Sequence, residues 1–322
     1  MVASACTIGR AEELLDAFLE NVSDPGRQAV AGQVGFGIRE GRMVFLVDAP
    51  DESAARDVFP SRFDGFSVLH ERSRLDPLGY YADRARRSLG RKPLQAWPGW
   101  PGSLIEAESG KYSGTLGFFV TQAGASYAVT CAHVFRASDR ASLNGSPVDS
   151  WVGSSCRRIG RVSDPEHNRE LRAALDVGLV TLADARWAVN VIPRIGRLST
   201  EVLNTDLIPL QSLVCKYGAK TNLTFGRITA LRRDFGSNSN HAPRTKPLIE
   251  ITPEGEPGQS AVSLSFCSPG DSGSVVVLHR KESIEVQVLG ILCKRSTTGI
   301  IDRGYMRSFS EVAEKLTLKI PS

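Results

Sequence analysis

Several features that mark specialised proteins are scarce or absent in this 322-residue sequence. No stretch approaches the roughly eighteen consecutive apolar residues of a membrane span, and the amino terminus becomes charged at Arg10 before a signal-peptide core has formed. The six cysteines are scattered and lack CxxC pairs, so neither a zinc site nor a redox motif is expected. We therefore expect an intracellular protein with free thiols and with no metal, cofactor or membrane contact.

Charge of one sign is not concentrated anywhere in the chain. The 39 basic and 35 acidic residues give a formal charge of only +4, whereas nucleic-acid-binding domains usually carry a basic stripe. Nucleic-acid binding through one of two short basic runs, "RRSLGRK" and "LRRDF", is the alternative. Runs of this kind are usually solvated faces and no aromatic platform accompanies these two, so no nucleic-acid partner is expected. With 41% hydrophobic residues, the chain is ordinary globular protein with room for about two domains.

Residues 1–85 are predicted to form a small N-terminal α/β domain. Leu14, Phe18 and Val22 recur at helical spacing. The alternating "VGFGI", the apolar "MVFLVD" and the later "GFSVLHER" are typical of strands, and Asp51 is placed to cap a helix before the third strand. The predicted order is α-β-β-α-β, with His70 in the last strand as a core or edge residue.

Residues 86–112 are predicted to be a linker, because they are rich in proline and glycine and show no periodicity. Trp97 and Trp100 within it are expected to pack onto a neighbouring domain, with binding to a partner as the alternative. From residue 113 to residue 322 short strands rich in β-branched and aromatic residues alternate with turns. This pattern predicts an all-β sandwich or barrel, with one helix in "SFSEVAEKLT" near the end.

The stretch "SPGDSGSVVV", residues 268–277, places Ser272 between two glycines and ahead of a buried strand. Glycine, aspartate and serine are also the usual residues of loops, so the stretch alone does not separate a nucleophile from a turn serine. A nucleophilic serine needs a base and an orienting acid elsewhere in the chain.

His133 is the best candidate for the base. It follows the strand in "YAVTCAHVF" directly, where an imidazole stands at the end of a strand and the start of a loop. The other histidines lie in strands or polar loops: His70, His167, His241 and His279.

Asp176 is the best candidate for the acid, because it opens the apolar strand in "AALDVGLVTL", an unusual place for a charge without a partner. A plain turn aspartate is the alternative at that position. The remaining candidates stand in polar or turn contexts: Asp164, Asp184 and Asp206.

Taken together, the three stretches resemble the motifs of chymotrypsin-like (trypsin-fold) serine peptidases. "VTCAHV" resembles the histidine motif, "LDVGLV" the aspartate motif and "PGDSGS" the serine motif, in the chain order His, Asp, Ser. "SGTLGFFV" and "VCKYGAKTNLTFGRITAL" resemble the entries into the first and second barrels. The resemblance covers about residues 114–317 and implies a mainly β, two-barrel peptidase domain behind the N-terminal α/β domain.

The resemblance also implies functional groups. The backbone N–H groups of Gly270 and Ser272 are expected to form an oxyanion hole. No "IVGG" segment precedes the barrel, so Asp271 needs another partner, a backbone N–H or one of the arginines, as in members made without zymogen activation. Val134 replaces the family's common cysteine after the histidine, and Ser274 replaces the second glycine of "GDSGG".

The resemblance also bears on cleavage specificity. By the resemblance, the substrate pocket draws on Phe266, Cys267, Cys293, Lys294 and Arg295. No aspartate stands where specificity for lysine or arginine requires one, so an apolar or small side chain is expected, and the two basic residues leave an acidic one open.

These observations predict a serine endopeptidase that acts on proteins or peptides. A peptidase-fold scaffold or interaction module without catalysis is the alternative. The N-terminal domain is open to several roles, among them inhibition of the cleft, recruitment of substrate, partner binding and self-association, and its element order implies none of them.

Overall fold

The computed structural model describes residues 6–22, 31–49, 51–71, 75–77, 99–107, 112–135, 144–152, 155–163, 174–234, 245–257, 265–280, 285–298 and 301–321. Three helices lie in these ranges: α1 (Ile8–Val22), α2 (Glu52–Val58) and α3 (Phe309–Leu316). The first nine strands are β1 (Gln33–Arg39), β2 (Arg42–Asp48), β3 (Arg62–Phe63), β4 (Phe66–Glu71), β5 (Leu75–Pro77), β6 (Leu104–Ala107), β7 (Tyr112–Thr115), β8 (Phe118–Gln122) and β9 (Ala125–Cys131).

The remaining strands lie between residues 147 and 308. They are β10 (Pro147–Val152), β11 (Ser155–Ser163), β12 (Val177–Leu182), β13 (Val191–Ile192), β14 (Gly196–Leu198), β15 (Leu213–Gly218), β16 (Asn222–Asp234), β17 (Leu248–Glu254), β18 (Val275–Leu278), β19 (Glu285–Val286), β20 (Val288–Thr298) and β21 (Ile301–Ser308).

Most of the described strands belong to two large sheets. The first has the strand order β7-β6-β10-β11-β12-β9-β8. In the second, six strands close on themselves in the order β15-β18-β20-β21-β17-β16, because β15 also pairs with β16. The protein is thus mainly β, with the closed barrel and second sheet of the predicted two-barrel fold.

The N-terminal strands continue the sheet of the closed barrel. The thirteen-residue strand β16 pairs with β15 through its first half and with β1 through its second half, and β2, β4 and β3 follow β1 in the same sheet. The described helices and longer strands follow the predicted α-β-β-α-β order, with the two-residue β3 added before the last strand. Asp51 caps α2 as expected, accepting from the N–H groups of Ser53 and Ala54.

The N-terminal helix shares a hydrophobic core with the barrel. Leu15 and Phe18 of α1 are fully buried in one cluster that also contains Ile228, Ile251 and Met306 of the barrel. Phe18 stacks on Phe45 with ring centroids 4.5 Å apart. Burial of such faces is what stabilises a helix of this length in a protein.

The predicted linker contains a strand of the first sheet. β6 pairs with β7 and β10, so the sheet begins before residue 113. Four residues between Pro/Gly-rich sequence are too few to show a period of two, which explains why the pattern missed this strand. Residues 86–98, which include Trp97, lie outside the described residues. Trp100 is half-buried. The division into domains at 85 and 112 remains a prediction.

Candidate active site

Ser272 lies in a tight turn ahead of β18, and two glycines give the turn its shape. Gly270 and Gly273 have φ of +102° and +93°, in the region that favours glycine. A Cβ on Gly273 would collide with Thr130 and Thr115, whereas a Cβ on Gly270 would lie 3.7 Å from its nearest neighbour, Lys220. Position 273 therefore requires glycine for space and conformation, and position 270 for conformation alone.

Neighbouring strands bring His133 and Asp176 together. His133 stands in the 3-10 turn Ala132–Phe135 that directly follows β9, and Asp176 directly precedes β12. These strands pair antiparallel, with Cys131 opposite Val177. The backbone N–H of His133 donates to Asp176 Oδ1 at 3.0 Å, so the carboxylate is attached to the loop that carries the imidazole.

The three side chains form one chain of hydrogen bonds. His133 Nδ1 lies 2.6 Å from Asp176 Oδ2, and His133 Nε2 lies 2.5 Å from Ser272 Oγ. The tautomer that satisfies both contacts donates Nδ1–H to the carboxylate and accepts the serine hydroxyl at Nε2. Ser272 is buried, while the side chains of His133 and Asp176 are 18% and 19% exposed. This geometry allows a proton to pass from the hydroxyl to the imidazole.

Thr115, at the end of β7, fixes the serine turn against the first sheet. Its Oγ1 donates to the carbonyl of Gly270 at 2.8 Å, and its N–H donates to the carbonyl of Ser272 at 2.7 Å. Thr130 Oγ1 in turn donates to the carbonyl of Thr115. Of the described residues, none accepts the N–H of Gly270 or Ser272.

Asp271 is fully buried beside Ser272, and its ionic partner is Lys216, not an arginine. Lys216 Nζ lies 3.2 Å from Asp271 Oδ2, with both side chains 0% exposed. The carboxylate also accepts from the backbone N–H groups of Ser268, Lys220 and Thr221, and from Thr221 Oγ1 at 2.7 Å. Of the two alternatives expected from the sequence, the backbone N–H is present, and the charged partner is a lysine rather than an arginine.

Sequence reasoning missed Lys216, Thr221 and Thr115. A signal for Lys216 existed, because it lies inside the apolar strand "SLVCKYG" and a lysine is rarely buried without a charged partner. No comparable signal marked the threonines, because a buried strand threonine such as Thr115 and a turn threonine such as Thr221 are both ordinary.

One group among the described residues has metal-ligand geometry: Cys131, His133 and Asp176, whose ligand atoms lie within 4.8 Å of one another. Burial, with the nearby Asp176 carboxylate, raises the pKa of the Cys131 thiol well above its ordinary value. The protonated thiol lies 3.1 Å from the carbonyl of Leu292, to which it donates. Both imidazole nitrogens of His133 and the Oδ2 atom of Asp176 are engaged in the hydrogen-bonded chain with Ser272, so this arrangement favours that chain over a metal site.

The predicted pocket residues lie along β20 and just before the serine turn. Phe266, Cys267 and Cys293 are buried, and Lys294 and Arg295 are half-buried. A Cβ on Gly304 would lie 2.6 Å from the Phe266 ring, so this glycine lets β21 approach the aromatic side chain closely. The role of these residues in specificity remains a prediction.

The other residues singled out in the sequence are either paired within the fold or outside the described part of the chain. Arg232 and Arg233 of "LRRDF" are paired inside the protein, with Glu250 and Glu71 and with Asp16 and Glu12 respectively. The run "RRSLGRK" and the alternative triad candidates His167, His241 and Asp164 lie outside the described residues. Six cysteines are described, all free, and only Cys156 is exposed.

No protein-family model and no curated protein matches the chain. Among solved structures, a glutamic-acid-specific serine protease is 17% identical, with a TM-score of 0.44, over 69% of this chain and 100% of that chain. A Nocardiopsis protease is 16% identical, with a TM-score of 0.43, over 69% and 98% of the two chains. A Cellulomonas bogoriensis chymotrypsin is 18% identical, with a TM-score of 0.42, over 69% and 97%.

At TM-scores of 0.42 to 0.44 and identities of 16% to 18%, these likenesses carry no conclusion about the activity, substrate or partners of this chain. No described helix is long and apolar enough to cross a membrane. The closed six-stranded barrel and the second sheet have the architecture of the two-barrel, chymotrypsin-like fold that the three motifs predicted.

Proposed function

We propose that this protein is a serine endopeptidase that hydrolyses peptide bonds through Ser272, His133 and Asp176. The observation that carries the proposal is the continuous hydrogen-bonded chain from Asp176 Oδ2 through both imidazole nitrogens to Ser272 Oγ. A non-catalytic serine in a loop has no physical need for this arrangement.

In the proposed reaction Ser272 Oγ attacks the substrate carbonyl carbon while His133 Nε2 takes the hydroxyl proton. The charge on the carbonyl oxygen is stabilised by the N–H groups of Gly270 and Ser272. His133 then gives its proton to the leaving amine, which departs with the C–N bond electrons and leaves an acyl ester on Ser272. Water attacks this ester with His133 again acting as the base, which frees the acid product and restores the serine.

Asp176 remains ionised throughout and stabilises the imidazolium that forms in each half-reaction. Asp271 has a separate part in the proposal. Its buried carboxylate ties the serine turn to Lys216 and to the backbone that follows β15, which keeps the Gly270 N–H in place.

The test is labelling of the full chain with a fluorophosphonate probe, together with hydrolysis of a peptide library. Ser272→Ala should abolish labelling, and His133→Ala and Asp176→Ala should slow it by a factor of about 10⁴. Asp184→Ala and His279→Ala are matched controls, since both residues were triad alternatives by sequence, and each should label like the wild type. A folded wild type that does not label would favour the scaffold function instead.

We further propose protein or peptide substrates with an apolar or small side chain in the pocket near Phe266 and Cys293. Product sequencing of the library tests this, and an acidic preference would assign the pocket to Lys294 and Arg295.

The buried free thiols are what supports an intracellular location, because extracellular proteins usually oxidise theirs.

A further inference from the structure

One edge of β20 carries the serine turn. β20 pairs with β21 along its other edge, while β18 occupies this one through the pairs Val276 with Gly290 and Val275 with Ile291. One residue further along, the backbone of Leu292 exchanges hydrogen bonds with the turn: Gly273 N–H donates to its carbonyl at 2.8 Å, and its N–H donates to the carbonyl of Ser274 at 2.9 Å. The edge therefore runs directly past the nucleophile.

The strand β5 lies on the same edge, immediately beyond the turn. It pairs antiparallel with β20, with Leu75 opposite Ser296, Asp76 opposite Arg295 and Pro77 opposite Lys294. β18 is also antiparallel to β20. The two strands therefore follow one another along the edge in the same direction, and the carboxyl end of β5 is directed at the serine turn.

The register leaves room for one residue between β5 and the turn, since only Cys293 separates Lys294 from Leu292 on β20. A peptide held in the register of β5 would set its next residue opposite Cys293. At about 3.3 Å per residue, the peptide bond after that residue would reach the level of Leu292, beside Ser272. An extended substrate bound to this edge would thus present that bond to the nucleophile.

Backbone pairing to a sheet edge is a general way to bind extended peptides, because main-chain hydrogen bonds supply affinity regardless of sequence. The edge of β20 from Cys293 to Ser296 has the position and direction that such binding requires. In this protein three residues of the edge are already paired with β5. Proline at the end of β5 fits an edge strand that needs no further donor there.

We propose that β5 is the protein's own pseudosubstrate, which competes with peptide substrates for the edge of β20 next to Ser272. The proposal rests on the proposed function for its consequence, inhibition of cleavage, but the competition for the edge is independent of catalysis. β5 follows β4 in the chain after only residues 72–74, and a short connection of this kind gives an internal competitor an effective concentration in the millimolar range. Peptides must displace β5 before they bind.

The competition can be measured without catalysis, in the Ser272→Ala background. The probe is a fluorescein-labelled Leu-Asp-Pro-Leu peptide, which has the sequence of residues 75–78, and its binding is followed by fluorescence polarisation. Asp76→Pro removes an N–H from the middle of β5 and should open the edge. Asp76→Asn keeps that N–H and is the matched control.

The expected result is at least about tenfold tighter peptide binding by Asp76→Pro than by its parent, with Asp76→Asn like the parent. The same peptide N-methylated at its aspartate, which cannot donate from that position, should bind none of the three. Equal affinities of Asp76→Pro and the parent would overturn the proposal, as would equal binding of the N-methylated peptide.

Fluorophosphonate labelling of the same variants with Ser272 intact separates the two proposals. The small probe reports on the triad and needs no strand pairing. Absence of labelling in every folded variant would refute the proposed function and leave the binding result valid. Normal labelling with unchanged peptide affinity would refute only the competition by β5.

Discussion

The buried pair of Lys216 and Asp271 offers the sharpest test of how the active site is built. Its charges are 3.2 Å apart, and neither side chain has any exposed surface. Lys216→Met keeps the length and the apolar part of the side chain but removes the ammonium group. Asp271 would then be a buried carboxylate without a cation.

The size of the effect follows from what remains around Asp271. Removing one partner of a buried ion pair costs about 3 to 5 kcal/mol, because the other charge is left in a medium of low polarity. Four donors would still reach the carboxylate, from the N–H groups of Ser268, Lys220 and Thr221 and from the Thr221 hydroxyl. Hydrogen bonds to a charge offset part of the loss, so we expect a cost near the lower end, about 3 kcal/mol.

The free energy of unfolding of each variant is measured by urea denaturation at pH 7, alongside the rate of fluorophosphonate labelling. Lys319→Met, at an exposed lysine, is the control and should change stability by less than about 0.5 kcal/mol. Lys216→Met should also label more slowly, because the serine turn loses a fixed attachment. Adding Asp271→Asn to Lys216→Met removes the unpaired charge but turns one acceptor oxygen into an amide donor that faces the N–H of Ser268 or those of Lys220 and Thr221, so it should recover only part of the lost stability.

A loss below about 1 kcal/mol in Lys216→Met would refute this reasoning, since it would mean that Asp271 does not depend on the lysine for its burial.

Four further outcomes are expected. Burial raises the pKa of Glu250, but the nearby arginines outweigh this effect and lower the pKa from 4.5 to about 2. The contribution of Glu250 to stability is therefore complete above pH 4.5 and is lost as the pH falls through 2. Glu250→Gln should cost about 3 kcal/mol or more at pH 7 in urea titrations, and progressively less below pH 4.5. Gly273→Ala should lose more stability and labelling than Gly270→Ala, which meets only the strain of a positive φ, about 1 kcal/mol, and equal losses would contradict the steric argument. Phe18→Ala should cost about 3 to 5 kcal/mol by the same denaturation assay, and a loss under 1 kcal/mol would show that α1 is not part of the barrel core. A thiol reagent should modify one cysteine, Cys156, in the native protein and six after denaturation; rapid modification of a second native thiol would contradict the burial of the others.

Much of the fold was predictable because it depends on local patterns. The apolar positions of α1 at helical spacing and the β-branched runs of β9, β12 and β18 predict their own elements, and Asp51 marks the start of α2. Strands such as β6 and β10 escaped prediction. β6 is four residues long, and both carry polar residues on positions buried by the sheet, including Glu106 and Ser150.

The candidate site divides in the same way. His133, Asp176 and Ser272 were found because each carries a local motif, and the structure brings all three together. Lys216 and Thr115 carry no motif of their own. They matter because strands distant in sequence place them against the serine turn, with Thr115 separated from Gly270 by 155 positions.

The sequence by itself determined most of the elements, the three residues proposed as the triad and the need for glycine around Ser272, because periodicity, capping and turn chemistry act over a few neighbouring residues. Only the tertiary structure decided that β1 extends the barrel sheet, that Lys216 neutralises Asp271, and that β5 lies on the edge of β20 next to the turn that holds Ser272. These contacts join segments far apart in the chain. Their register and their burial exist only once the sheet has closed, and no local pattern records which strand will lie beside which.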